Sequence, residues 1–126
     1  MKLNHLNVCV PDLNEAVTFF RDVFGFELNG RHGDAIAAMT DDDGFSLVLS
    51  SLRPGEEGYP KDFHLGFYVD TIADVDGFHD KLAAAGIAAE QRPRRIRNGY
   101  TLYFTALGGI LFEVTSFQRE AAAPQA

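Results

Sequence analysis

Cysteine is almost missing from this chain: Cys9 is the single one in 126 residues. It has no internal partner, so a disulfide framework is excluded and a reducing, cytoplasmic setting is expected. Long apolar runs are missing too. None approaches the roughly 20 residues that a membrane span needs, so no membrane partner is expected. The first residues, Met1-Lys2-Leu3-Asn4-His5, lack the charged-then-apolar pattern of an export signal and lead straight into a strand. Positive charge is scarce, with 11 Lys and Arg against 18 Asp and Glu, a net charge of -7. Non-specific nucleic-acid binding, which needs a basic surface, is thereby disfavoured. What remains is ordinary for one globular domain able to bury a real core: 46% hydrophobic and 23% charged residues.

Against that background one pattern occurs twice. The first copy reads His5-Leu6-Asn7-Val8-Cys9-Val10-Pro11-Asp12-Leu13, the second His64-Leu65-Gly66-Phe67-Tyr68-Val69-Asp70-Thr71-Ile72. Each has His-Leu, a Val five residues after the His, a turn-like step and an amphipathic stretch. Repetition at a half-length offset marks two copies of one supersecondary unit. The expected plan is α+β, with βαβββ occurring twice: module one over 1–51, a Pro- and Gly-containing linker over 52–61, module two over 62–117, and a flexible tail over 118–126, frayed from Ala121 to Ala126.

In module one, alternation predicts strands over 3–10, 26–29, 35–40 and 45–50. Asp12 caps a helix whose stripe is Leu13, Ala16, Val17, Phe20, Val23 and Phe24, and Gly25 stops it. Residues 30–33 and 41–44 read as turns. Module two predicts strands over 63–69, 87–92, 100–105 and 110–116, and a helix over 74–85 with Val75, Phe78 and Leu82 inward. Asn98-Gly99 and Gly108-Gly109 read as turns.

Alternation also sorts the faces. The apolar faces should pack under the helices. His5, His64 and Glu113 then lie on the opposite face. Two imidazoles and a carboxylate there suit a divalent cation with open positions for water or substrate. Glu113 sits between Phe112 and Val114, where an unpaired charge is costly. A buried His–Glu hydrogen-bond network without metal is the competing reading. Asn7, Val48, Tyr68 and Tyr103 are the expected substrate contacts, and the two tyrosines add hydroxyl handles. Cys9 shares the face of His5, but a lone buried thiol is usually inert.

These residues resemble the vicinal oxygen chelate superfamily, which includes glyoxalase I, extradiol dioxygenases, fosfomycin-resistance transferases and bleomycin-binding proteins. The resemblance rests on His5 with Val8 to Leu13 and Ala16-Val17-Thr18-Phe19-Phe20, on His64 before Phe67-Tyr68-Val69, and on Gly108-Gly109-Ile110-Leu111-Phe112-Glu113. It implies the glyoxalase/bleomycin resistance/dihydroxybiphenyl dioxygenase fold, in which paired modules form a half-barrel cleft. It also implies His5, His64 and Glu113 as ligands of a divalent metal (Fe, Mn, Zn or Ni), and a catalytic Tyr103 beside Glu113. The substrate is then a small molecule chelated through neighbouring oxygens, in dioxygenase-, lyase- or transferase-like chemistry. A homodimer is implied, with His5 from one chain and His64 and Glu113 from the other. The non-catalytic alternative is an antibiotic-binding resistance protein.

Two departures limit the resemblance. Aligning 44–48 with 109–113 puts Val48 where glyoxalase I supplies a second glutamate, which argues against conventional glyoxalase I chemistry. His32 and His79 do not fall on the extra histidines of the dioxygenases, and His79 is expected on the exposed side of its helix. Arg92, Arg94, Arg95 and Arg97 read mainly as charges that blunt a sheet edge, with an anion clamp as the alternative for one of them. Asp41 to Asp43 reads as a solvated turn.

Overall fold

A computed structural model describes residues 1–119. The fraying expected from Ala121 to Ala126 lies outside the described residues. The chain divides into two compact units, Met1–Tyr59 and Pro60 onward. Each carries one helix and one four-stranded mixed sheet that is not closed into a barrel, so the fold class is α+β.

In the first unit the order is β1 (His5–Val10), α1 (Leu13–Phe24), β2 (Glu27–His32), β3 (Ile36–Thr40) and β4 (Ser46–Ser51). The sheet order is β1-β4-β3-β2. β1 runs parallel to β4, with Asn7 opposite Val48, and the other pairs are antiparallel. The Asp12 side chain accepts the Glu15 N–H, and Gly25 ends the helix at φ 74, a left-handed conformation that suits a residue without Cβ. The core is the alternation made solid. Val8, Val10, Ala37, Met39, Leu47 and Leu49 are buried from the sheet, and Leu13, Ala16, Val17, Phe20 and Val23 from the helix. β2 differs from expectation. It continues through Gly30, Arg31 and His32, which read as a turn, with a register shift between Leu28 and Gly30. A bulge of this kind lets a glycine stay in a strand. The turn falls later, at Gly33.

The second unit repeats the plan as β5 (His64–Val69), α2 (Ile72–Ala84), β6 (Arg94–Ile96), β7 (Gly99–Ala106) and β8 (Ile110–Ser116). The sheet order is β5-β8-β7-β6, with β5 parallel to β8. α2 starts earlier than the expected Asp74, because Thr71 and Asp74 form a reciprocal capping box. The strand expected over 87–92 does not form. The Ile87 N–H already donates to the Leu82 carbonyl (2.9 Å), finishing the helix instead of entering a ladder. The strand here is Arg94–Ile96, a short edge strand paired with Gly99–Thr101. Its turn is Arg97-Asn98, not Asn98-Gly99, and Arg97 takes φ 54 to close it. Leu102, Phe104, Phe112 and Val114 are buried beneath Val75 and Leu82 of α2, with Phe104 and Phe112 stacked at 5.3 Å. At the start of the expected tail, Gln118 is tied down: its side-chain carbonyl accepts the Ile72 N–H (2.9 Å).

Candidate active site

β8 is an inner strand of the second sheet, and Glu113 lies at its middle. The register puts Gly66 of β5 on one side of it and Tyr103 of β7 on the other. A Cβ at Gly66 would stand 4.0 Å from Glu113 Oε2, in ordinary van der Waals contact. His64, two residues back along β5 and so on the same face, reaches the carboxylate, and its Nε2 stands 3.3 Å from Oε2. Glu113 is largely buried, with 21% of its side chain exposed, while His64 is about half exposed.

Hydrogen bonding orients this pair. His64 Nδ1 lies 3.0 Å from the Asp62 carbonyl oxygen. A carbonyl only accepts, so Nδ1 carries a proton. Nε2 is then the nitrogen turned toward Glu113 Oε2, and at 3.3 Å a proton or a cation can be shared between the two atoms.

The other oxygen of Glu113 is occupied. Oε1 accepts from Thr115 Oγ1 at 3.1 Å and from the Tyr103 hydroxyl at 3.4 Å. Thr115 Oγ1 lies 2.9 Å from Thr101 Oγ1, and both threonines are buried. Since Thr115 donates to Glu113, Thr101 must donate to Thr115. Gly99 explains why Thr115 holds this rotamer. A Cβ on Gly99 would lie 2.8 Å from Thr115 Cγ2, so the methyl fills the space that a side chain there would need. The carboxylate is thus clamped through Oε1, leaving Oε2 toward His64.

Of the expected site residues, His64, Tyr103 and Glu113 come together in the second unit. His5, Asn7 and Val48 belong to the first unit, on β1 and β4. His5 is exposed, and the Asn7 side-chain oxygen accepts from Ser50 Oγ (3.0 Å). Among the described residues, no three His, Cys, Asp or Glu side chains form a group that could hold a metal ion. Tyr68 is 78% exposed and rests edge-on against Phe117, with ring centroids 5.0 Å apart. Cys9 is half-buried, not buried, and its N–H donates to the Tyr59 hydroxyl at 2.6 Å. Burial raises the Tyr59 hydroxyl above its ordinary pKa. His79 is not solvent-exposed as expected: only 19% of its side chain is accessible, with Nδ1 3.8 Å from Asp80.

Sequence reasoning missed Thr101, Thr115, Gly66 and the Asp62 carbonyl. Thr115 carried a signal, standing two residues from Glu113 and so on the same face. A backbone acceptor such as the Asp62 carbonyl carries none.

Comparison with known proteins gives this arrangement a family. The model of the Glyoxalase/Bleomycin resistance protein/Dioxygenase superfamily matches residues 2–114. The chain is 25% identical over 116 residues to the fosfomycin resistance protein FosX of Listeria monocytogenes, covering 89% of this chain and 86% of that protein. It is 28% identical over 126 residues to a manganese-dependent 2,3-dihydroxybiphenyl 1,2-dioxygenase of Geobacillus genomosp. 3, but spans only 39% of that protein's length. The solved structure of a possible glyoxalase from Bacillus cereus superposes with a TM-score of 0.80 at 37% identity, covering 91% of this chain and 98% of that one. The chain belongs to the glyoxalase/bleomycin resistance protein/dioxygenase superfamily.

Proposed function

We propose that this protein is a divalent-metal-dependent enzyme that chelates a small substrate through neighbouring oxygens, with His5, His64 and Glu113 as ligands. The observation that carries the reading is His64 Nε2 facing Glu113 Oε2 at 3.3 Å, with Nδ1 held by the Asp62 carbonyl. The Asp62 carbonyl sets the tautomer and the two threonines set the carboxylate, the kind of outer support that metal ligands receive. Two nitrogens and one carboxylate suit Fe, Mn, Zn or Ni. When bound, such an ion supplies a Lewis acid for the two substrate oxygens. Tyr103 is the catalytic partner. Its long 3.4 Å bond to Glu113 is weak, so the hydroxyl can turn to substrate and donate a proton or hydrogen bond where negative charge develops. Asn7, Val48 and Tyr68 are the proposed further substrate contacts.

The working form is a homodimer in which His5 of one copy completes the site of the other. A manganese-dependent relative supports the metal. The non-catalytic, antibiotic-binding reading leaves the clamped carboxylate without a purpose.

Metal reconstitution tests the proposal. Wild-type protein loaded with Fe²⁺, Mn²⁺, Zn²⁺ or Ni²⁺ should retain about one ion per chain after desalting, as expected for a closed symmetric dimer, and Glu113→Ala should retain none. Mixing His5→Ala with Glu113→Ala chains should partly restore binding, because one site of each mixed dimer is intact. No retention by wild type rejects the site. Retention without rescue, from a monomer by light scattering, rejects the shared site.

A further inference from the structure

The four arginines near β6 part company in the sheet. Arg95 pairs across from Tyr100, on the helix-facing side, and its guanidinium donates to the Arg119 carbonyl. Arg94 pairs across from Thr101 and so shares the face of Thr101, Tyr103 and Glu113. Arg94 enters none of the ion pairs among the described residues. A cavity of about 440 Å³ opens on this side, lined by Arg94, Gln91, Glu90, Tyr103, Thr105 and Leu111. Its volume falls within the range of small-molecule sites. Tyr103 belongs both to this wall and to the Glu113 cluster, so the cavity adjoins the candidate active site.

We propose that this cavity seats the far end of the substrate, that this end carries an oxyanion of the carboxylate type, and that Arg94 is the residue that grips it. A guanidinium offers a planar fork of donors that matches a carboxylate with two parallel hydrogen bonds. The chain carries a net charge of -7, so a negative ligand is repelled overall and needs a local positive anchor. Glu90, in the same wall, limits the ligand to one anionic group at the Arg94 end. Leu111 and the Tyr103 ring supply an apolar middle. The substrate class is therefore a small molecule with two neighbouring oxygens at one end and one oxyanion at the other. Only the neighbouring-oxygen end of this inference rests on the proposed metal site.

Two probes separate the ends: catechol, with neighbouring oxygens alone, and 3,4-dihydroxybenzoate, which adds a carboxylate across the ring. On manganese-loaded protein the acid should bind about tenfold more tightly than catechol, the size of a partly exposed charge-assisted contact. Arg94→Gln should abolish that preference while leaving catechol affinity unchanged. Arg95→Gln, which removes the same charge from the other face, should keep the preference. Equal effects of the two variants would show general charge attraction and overturn the proposal, as would a preference that survives Arg94→Gln. A second arm needs no metal. In metal-free protein the Arg94 Nε–Hε NMR signal should move with 3,4-dihydroxybenzoate and not with equal catechol. If it stays still, the oxyanion seat is rejected. If it moves while catechol never binds the manganese-treated protein, the seat stands and the metal site falls.

Discussion

The two units are built on one plan, and the register shows where they diverge. Val48 lies opposite Asn7 and Ala38 in the first sheet. At the equivalent place in the second, Glu113 lies opposite Gly66 and Tyr103. The pair Ile36 and Ser50 corresponds to Thr101 and Thr115. Strand order, parallel pairing and helix placement are the same, yet one sheet holds a clamped carboxylate and the other a valine. The scaffold therefore does not demand the polar cluster. Four positions on two strands, Thr101, Tyr103, Glu113 and Thr115, create it, and all four differ between the units. The helices differ too. α1 buries Leu13, Ala16, Val17, Phe19, Phe20 and Val23, whereas α2 buries Ile72, Val75 and Leu82. The first unit's helix buries the larger apolar face, and the second unit carries the polar chemistry.

Restoring symmetry is the strongest way to challenge this difference. A two-base proton shuttle between adjacent carbons needs a carboxylate from each unit, and Val48 denies it. Wild-type protein is expected to leave the methylglyoxal–glutathione hemithioacetal untouched at ordinary enzyme rates. Val48→Glu should raise that turnover by about 10²–10⁴-fold, the usual worth of a positioned acid or base. Wild-type turnover that disappears in Glu113→Gln would overturn the asymmetry argument.

Thr115 offers the next largest effect. Thr115→Val keeps the shape but releases Glu113 Oε1, and should weaken metal binding by about 10–100-fold, as losing an outer partner does. Thr115→Ser should recover most of it. A purely structural role would instead lower the melting temperature of both variants and spare the affinity. Smaller still is the effect of copying Asn7 of the first unit into the second. Gly66→Asn places a side chain against Glu113 Oε2 and should reduce metal affinity less than Thr115→Val, with the far-ultraviolet spectrum unchanged. Unaltered affinity by titration calorimetry would show that Gly66 is not kept for space.

The smallest effect concerns Tyr100, whose hydroxyl donates to Asp76 of α2 at 2.6 Å. That hydrogen bond, with burial, raises the tyrosine above its ordinary value of 10.0. The folded state holds this proton more tightly than the unfolded one. The contribution is complete below pH 10 and fades as pH rises through the folded value. Tyr100→Phe should cost less than about 1 kcal/mol at pH 8. The gap to wild type, followed by urea unfolding, should shrink above pH 10. A gap independent of pH would assign the loss to packing.

Much of this was legible in the residues, and the reasons are physical. Alternation of period two places Val8, Val10, Phe112 and Val114 inward and Glu113 outward. The bounds of β8, Ile110–Ser116, match the expected strand because Gly108-Gly109 ends the preceding turn. β6 escaped because Arg94-Arg95-Ile96 has no apolar face. Its strand state comes from the hairpin partner, not from its own pattern. The stretch from Ile87 looked more like a strand, but the helix end claims its first N–H. The tautomer of His64 depends on a backbone carbonyl, which no side-chain pattern reveals.

The Tyr59 hydroxyl beside Cys9 also bears on how the chain survives at high concentration. β1 is an outer strand of its sheet, and the N–H of Cys9 points away from β4. An uncovered strand edge is a template on which another chain can add a strand. Tyr59 plugs that template with a hydroxyl that burial keeps protonated and neutral well into the alkaline range. Extending the sheet past β1 would first require pulling this plug. A single aromatic residue in a Pro- and Gly-containing connector thus occupies one backbone donor on the edge of an outer strand.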